Sequence, residues 1–180
     1  DPRDTTDTHV RQTGFEVTPS AIGTLGERIG ELTGAGATLA VCGSLPPGMD
    51  EAALVELLRG ASAAGAQLAV DAGGAALAAV AGARSLRRWL AKPNEEELAE
   101  AVGSEPVASE AAALAAGRAL ASSFEWVCVS RGAAGALLIG ADGRAWRSVA
   151  DPGARPVAST VGCGDCLVAG LLEGLGAGRP

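Results

Sequence analysis

Thr38-Leu39-Ala40-Val41-Cys42, followed by Gly43-Ser44-Leu45-Pro46-Pro47-Gly48, is the stretch that decides the fold. A short uncharged run bounded by Gly and Pro reads as a buried strand. Asp50 then supplies an N-cap, and Leu54, Leu57 and Leu58 fall on one helical face. A buried strand passing through a stiff loop into a capped helix is half of a βαβ unit, and the step recurs along the chain.

Upstream, Thr18, Pro19 and Ser20 open a helix over Ala21 to Leu32, with Ile22, Leu25, Ile29 and Leu32 at helical spacing. Downstream, strands are expected at Gln67 to Val70, ending at Asp71 and Gly73-Gly74, and at Trp89 to Ala91, running into Lys92-Pro93-Asn94. Helices follow at Glu95 to Val102 and Ser109 to Ser122. The rhythm then changes to three short strands: Trp126 to Val129, Ala136 to Ile139 and Arg144 to Val149. Asp142-Gly143 is a hairpin turn between the last two. Thr160-Val161-Gly162-Cys163-Gly164-Asp165 opens a final helix through Leu175. This order predicts one α/β sandwich with a mostly parallel sheet and an antiparallel edge. Only the loop from Pro152 to Pro156 interrupts the pattern, so residues 1–180 read as one domain.

The 180 residues carry 14 Lys and Arg against 21 Asp and Glu, a net charge of −7. That balance argues against a nucleic-acid or anionic-membrane surface. Only five aromatics are present, three Trp and two Phe, so the core must be Ala, Val and Leu. No uninterrupted apolar run is long enough to span a bilayer, and the first residues lack a signal-peptide pattern. Four Cys without framework spacing suit a reducing compartment, and the cytoplasm is expected. The first residue is Asp rather than Met, which leads us to expect a partial chain.

Gly162-Cys163-Gly164-Asp165 carries the strongest chemical signal. Small residues let backbone approach a ligand, and unpaired amides at the positive end of a helix bind anions. A carboxylate inside such a site repels phosphate, unless Asp165 faces a hydroxyl while the amides of Gly162 to Gly164 hold phosphoryl oxygens. Asp165 would then steer or deprotonate that hydroxyl. A capping Asp after a glycine turn is the plainer alternative. Cys163 and Cys166 form a C-x-x-C, a redox or zinc pattern, but Cys42 and Cys128 stand singly and complete no second pair. A reactive Cys163 is expected, with alkylation impairing nucleotide binding. Asn94 and Glu97 share a helix face and suit a hydrated Mg²⁺ with its phosphates; equally, they complete a capping box. Ser130, Gly132 and Gly135 make a small-residue turn, either an ordinary hairpin or a place for a nucleotide against backbone. Neither a Walker A sequence nor G-x-G-x-x-G is present.

In this order, Gly43 to Gly48, Lys92-Pro93-Asn94-Glu95-Glu96-Glu97, Ser130-Arg131-Gly132-Ala133-Ala134-Gly135 and Thr160 to Asp165 resemble the PfkB (ribokinase-like) carbohydrate kinases. The first two are closest to the 1-phosphofructokinase and tagatose-6-phosphate kinase branch. The resemblance implies a three-layer α/β/α sandwich, here without the family's N-terminal strands and β-sheet lid. It implies ATP- and Mg²⁺-dependent phosphorylation of a sugar phosphate. Fructose 1-phosphate, giving fructose 1,6-bisphosphate, is expected first; tagatose 6-phosphate and fructose 6-phosphate are the others.

Carried onto this chain, the resemblance makes Asp165 the base and Gly162, Cys163 and Gly164 the anion hole. ATP falls to Asn94, Ser130, Arg131, Gly132, Ala133, Ala134, Gly135, Thr160 and Gly164, and Mg²⁺ to Asn94 and Glu97 through water. The sugar phosphate falls to Gly43, Ser44, His9, Arg11 and Asp165. His9 stands where the branch usually has Arg, and Arg11 where it has Asn; an imidazole lacks the bidentate fork of a guanidinium. A homodimer of the complete protein is compatible with this reading. The alternative is a catalytically incompetent nucleotide-binding remnant, and a third reading is an α/β domain whose motifs are inherited scaffold.

Overall fold

The computed structural model describes residues 14–149 and 159–179. His9, Arg11 and the 152–156 loop lie outside the described residues. The order is α1 (Pro19–Leu32), β1 (Thr38–Gly43), α2 (Glu51–Ala63), β2 (Gln67–Ala72), α3 (Gly74–Gly82), β3 (Arg88–Ala91), α4 (Glu95–Val102) and α5 (Glu110–Ala121). Then come β4 (Trp126–Ser130), a 3₁₀ turn (Gly132–Ala134), β5 (Ala136–Gly140), β6 (Ala145–Ser148) and α6 (Cys163–Gly176).

Local chemistry sets the boundaries. Asp50 Oδ1 accepts from Ala53 N at 2.8 Å to start α2, Ser109 Oγ from Ala112 N at 3.1 Å to start α5, and Thr18 caps α1 likewise. Gly103 ends α4 in the left-handed region at φ 64°.

The six strands lie in chain order. β1 to β4 are parallel, and β5 and β6 turn back antiparallel. Sequential parallel strands joined by right-handed crossovers must put their connecting helices on one face. There Leu68, Val70 and Ala72 of β2, Ala91 of β3, Val127 and Val129 of β4 and Ile139 of β5 meet Leu54, Leu58, Leu77, Leu98 and Leu120 from the helices. Among the described residues α6 alone covers the opposite face, setting Leu167, Leu171, Leu172 and Leu175 against Ala69, Trp89, Leu90 and Cys128. The layers are therefore helix, sheet, helix, as expected. Among the described residues β1 is an edge strand, with Ala40 and Cys42 exposed on the α6 side.

The sequence reading contains no helix at Gly74–Gly82, where the structure forms α3. Its residues, GAALAAVAG, are apolar on every side, so no polar face marks a helical period. Burial of Ala76, Leu77 and Val80 forms the helix instead. Gly74 is needed because a Cβ there would lie 2.5 Å from Glu100 Cβ and 2.7 Å from Glu97 O of α4.

Candidate active site

All four parallel strands end at one edge of the sheet, where ligands of open α/β folds collect. The loops after β1, β3 and β4 emerge there, and α6 brings its N-terminus to the same edge. Ser130, Gly132, Gly135, Cys163 and Gly164 line one cleft of about 340 Å³ together with Ala136, Ser148 and Leu167. The glycine turn after β4 and the glycine turn before α6, read separately in the sequence, are thus two walls of one space.

Gly162 adopts φ 79°, ψ −3°, which aims the chain into α6 with no side-chain cap. Cys163 N donates to Thr160 O at 3.2 Å and Cys166 N to Gly162 O at 2.9 Å. The amides of Gly162, Gly164 and Asp165 have no backbone acceptor among the described residues. Of the expected anion hole, the Gly162 and Gly164 amides are left open and that of Asp165 joins them, while the Cys163 amide serves the turn. Asp165 lies in the first helical turn and is exposed rather than turned into the interior.

Beneath this turn lies an ion pair that the sequence reading did not assign. Val70 of β2 pairs with Ala91 of β3, so the next residues, Asp71 and Lys92, emerge side by side. Lys92 Nζ meets Asp71 Oδ1 at 2.8 Å, with the side chains only 7% and 15% exposed. The same ammonium stands 3.6 Å from where a Gly164 Cβ would be. A buried cation thus sits directly below the open amides. Its signal in the sequence is that the apolar strands A-V-D and L-A-K each end on a charge, of opposite sign. Cys42, beside Asp71 in the β1–β2 register, reports the field here. Its thiol is raised by partial desolvation first, then by Asp71 and Asp165, with Lys92 opposing.

Asn94 and Glu97 do form the capping box: Asn94 Oδ1 accepts from Glu97 N, and Glu97 Oε2 from Asn94 N, both at 2.9 Å. This leaves the Asn94 amide nitrogen and Glu97 Oε1 without hydrogen-bond partners among the described residues. Capping and a role toward a hydrated cation are therefore compatible. No group of three or more His, Cys, Asp and Glu able to hold a metal occurs among the described residues. The donor set fits Mg²⁺ that keeps its waters, not an all-protein cage.

Ser130 N donates to Pro93 O at 2.9 Å, which ties the turn after β4 to the Lys92-Pro93-Asn94 segment. The Arg131 guanidinium is spent on structure. Nε donates to Glu95 Oε1 at 2.9 Å and an Nη to Glu110 Oε2 at 3.0 Å, which Arg147 also meets at 2.9 Å. Ala133, Ala134 and Thr160 are exposed along the rim. Gly135, at φ 87°, presses on Ser148 O where a Cβ would stand. Gly43 (φ 91°) and Ser44 lie apart from this cleft. Ser44 lines a smaller one of about 180 Å³ with Leu45, Glu51, Gly73, Gly74 and Glu100. Val17 N braces its loop through Pro47 O at 2.8 Å.

The 1-phosphofructokinase of Rhodobacter capsulatus is 41% identical over 136 residues, 75% of this chain and 41% of the relative. That of Xanthomonas campestris is 36% identical over 170 residues, 93% of this chain and 52% of the relative. The crystal structure of phosphofructokinase-2 from Escherichia coli in complex with substrates and products matches at TM-score 0.83 and 28% identity, over 94% of this chain and 54% of that one. The chain thus spans about half the length of these relatives, or less. The pfkB family carbohydrate kinase model matches residues 7–180, and the chain belongs to that family.

Proposed function

We propose that this chain carries the phosphate-transfer half of an ATP-dependent sugar-phosphate kinase, with fructose 1-phosphate as the first candidate acceptor. One observation carries the reading: open backbone amides and a buried ammonium converge at a turn that also presents a single exposed carboxylate. The Gly164 and Asp165 amides and Lys92 Nζ supply positive potential where a transferring phosphoryl group gathers charge. Asp165 orients the acceptor hydroxyl and takes its proton. The turn over Gly132 to Gly135 offers backbone to the nucleotide, and Asn94 and Glu97 face its hydrated Mg²⁺. That ion, when bound, shields the β- and γ-phosphate charges. The names of the curated relatives support fructose 1-phosphate. Among the described residues no helix is long and apolar enough to cross a membrane, which fits the cytoplasmic placement we propose.

A second reading, nucleotide binding without turnover, is favoured by the exposure of β1 among the described residues. Ala40 and Cys42 are exposed, so the described residues build no wall on that side of Asp165. Calorimetric titration with ATP and Mg²⁺ tests binding. A coupled assay for ADP with fructose 1-phosphate, tagatose 6-phosphate and fructose 6-phosphate tests turnover. Binding with no ADP release favours the second reading; no binding refutes both. If turnover is found, Asp165→Asn is expected to abolish it while ATP still binds, and a rate within a few fold of the parent refutes Asp165 as base.

A further inference from the structure

The C-x-x-C of α6 is not absorbed by the phosphate-transfer reading. Cys163 and Cys166 are both free thiols and both exposed, whereas Cys128 is buried. They occupy the first and fourth positions of α6. Residues three apart in an α-helix lie on one face with Cα atoms about 5 Å apart, inside the window of roughly 4.4–6.8 Å that a disulfide spans. The first turn is also where a helix adjusts most freely: Cys163 N is held only by Thr160 O, outside the helix. Cys163 lines the cleft with Gly164, and Cys166 opens onto the neighbouring α6 surface, so a small oxidant reaches both sulfurs.

We propose that Cys163 and Cys166 form a reversible dithiol–disulfide switch that closes the anion site. The two cysteines bracket Gly164 and Asp165 in sequence, whose amides are open donors, and the Asp165 carboxylate is the proposed base. A bond between them ties the turn across those donors at the cleft wall that Cys163 lines. The co-reactant is a small disulfide such as oxidised glutathione. The Cys163 thiolate attacks one of its sulfurs, releasing one glutathione thiolate and leaving a mixed disulfide. Cys166, its proton lost to solvent, then attacks Cys163 Sγ and expels the second glutathione. Two protein thiols are oxidised and one small disulfide is reduced to two thiols. Disulfides in reducing compartments are characteristically of this transient, sensing kind. The consequence for phosphate rests on the function proposed above; the site of oxidation does not.

The test incubates the whole chain with oxidised glutathione and maps disulfides by mass spectrometry after blocking free thiols. The expected product is a 163–166 crosslink with the mass of two hydrogens lost, retained in Cys42→Ser and stopped at the mixed disulfide in Cys166→Ser. ATP affinity of the crosslinked chain is expected to fall roughly 10- to 100-fold and to return on reduction with dithiothreitol. A crosslink to Cys42, a mixed disulfide that persists in the parent chain, or a 163–166 bond that leaves ATP affinity unchanged overturns the switch. A reduced chain that binds no ATP overturns the nucleotide reading and the gating with it. The mass map still decides the site of oxidation in that case.

Discussion

Removing the Asp71 carboxylate leaves the Lys92 ammonium in a pocket where its side chain is 7% exposed, with its ion-pair partner gone. Breaking one side of a desolvated pair costs about 3–5 kcal/mol, a large share of the ~5–15 kcal/mol that holds a typical domain together. Asp71→Ala is therefore expected to lower the urea midpoint by about 2 M, for a slope near 2 kcal/mol per M. The double substitution Asp71→Ala with Lys92→Met removes both charges and leaves an apolar side chain of similar reach. Stability should recover most of the loss, because a buried pair contributes little over well-packed apolar groups. ATP binding should not recover, because the cation under Gly164 is still missing. Urea unfolding followed by circular dichroism reads the first quantity and calorimetric titration with ATP and Mg²⁺ the second. A single-mutant cost below about 1 kcal/mol would mean the pair is screened like a surface bridge. Parent-like ATP affinity in the double mutant would remove Lys92 from the phosphate site.

Glu97→Gln keeps an oxygen to accept from Asn94 N. Its stability should stay within about 0.5 kcal/mol of the parent while Mg²⁺ loses its enhancement of ATP binding; Asn94→Ala should cost about 1 kcal/mol through the lost cap. Thermal melts with and without Mg²⁺ separate the two. Gly135→Ala meets both a positive φ of 87° and the Ser148 carbonyl, and should destabilise by about 3 kcal/mol or more. Hydrogen exchange should locate the opening at the β5–β6 edge. Burial raises the Cys128 thiol from an ordinary value of 9.0 to about 11, against the opposing pull of Lys92. The unfolded chain therefore ionises first, and stability is lost as pH climbs from about 9 to 11, by about 3 kcal/mol in all. Urea titrations at several pH values should show that component missing in Cys128→Val.

Much of this protein is written locally. Glu95 to Val102 is expected as a helix from the sequence, and the structure starts it on the Asn94–Glu97 capping box and ends it at Gly103 with φ 64°. Asp142-Gly143 was readable as a turn, which the structure realises with Gly143 at φ 84° and Asp142 Oδ1 accepting from Arg144 N at 3.0 Å. The final helix starts at Cys163 rather than at Thr160, because Gly162 spends its positive φ on the turn before it. What stayed hidden has a common cause. α3 has no polar face to mark its period, and only burial by its neighbours makes it a helix. That the Arg131 guanidinium pairs with Glu95 and Glu110 could not be read from a chain in which those partners lie 36 and 21 residues away.

Caps, turns and the apolar period were determined by the sequence alone, since each is an interaction between residues within a turn or two of chain. Which charges face each other was decided by the tertiary structure. The β2–β3 register sets Asp71 beside Lys92, and the passage of α6 to the other face of the sheet lays Gly164 over that ammonium. Both depend on hydrogen-bond pairing and burial between distant segments, and desolvation, which gives the pair its strength, exists only once those segments have packed.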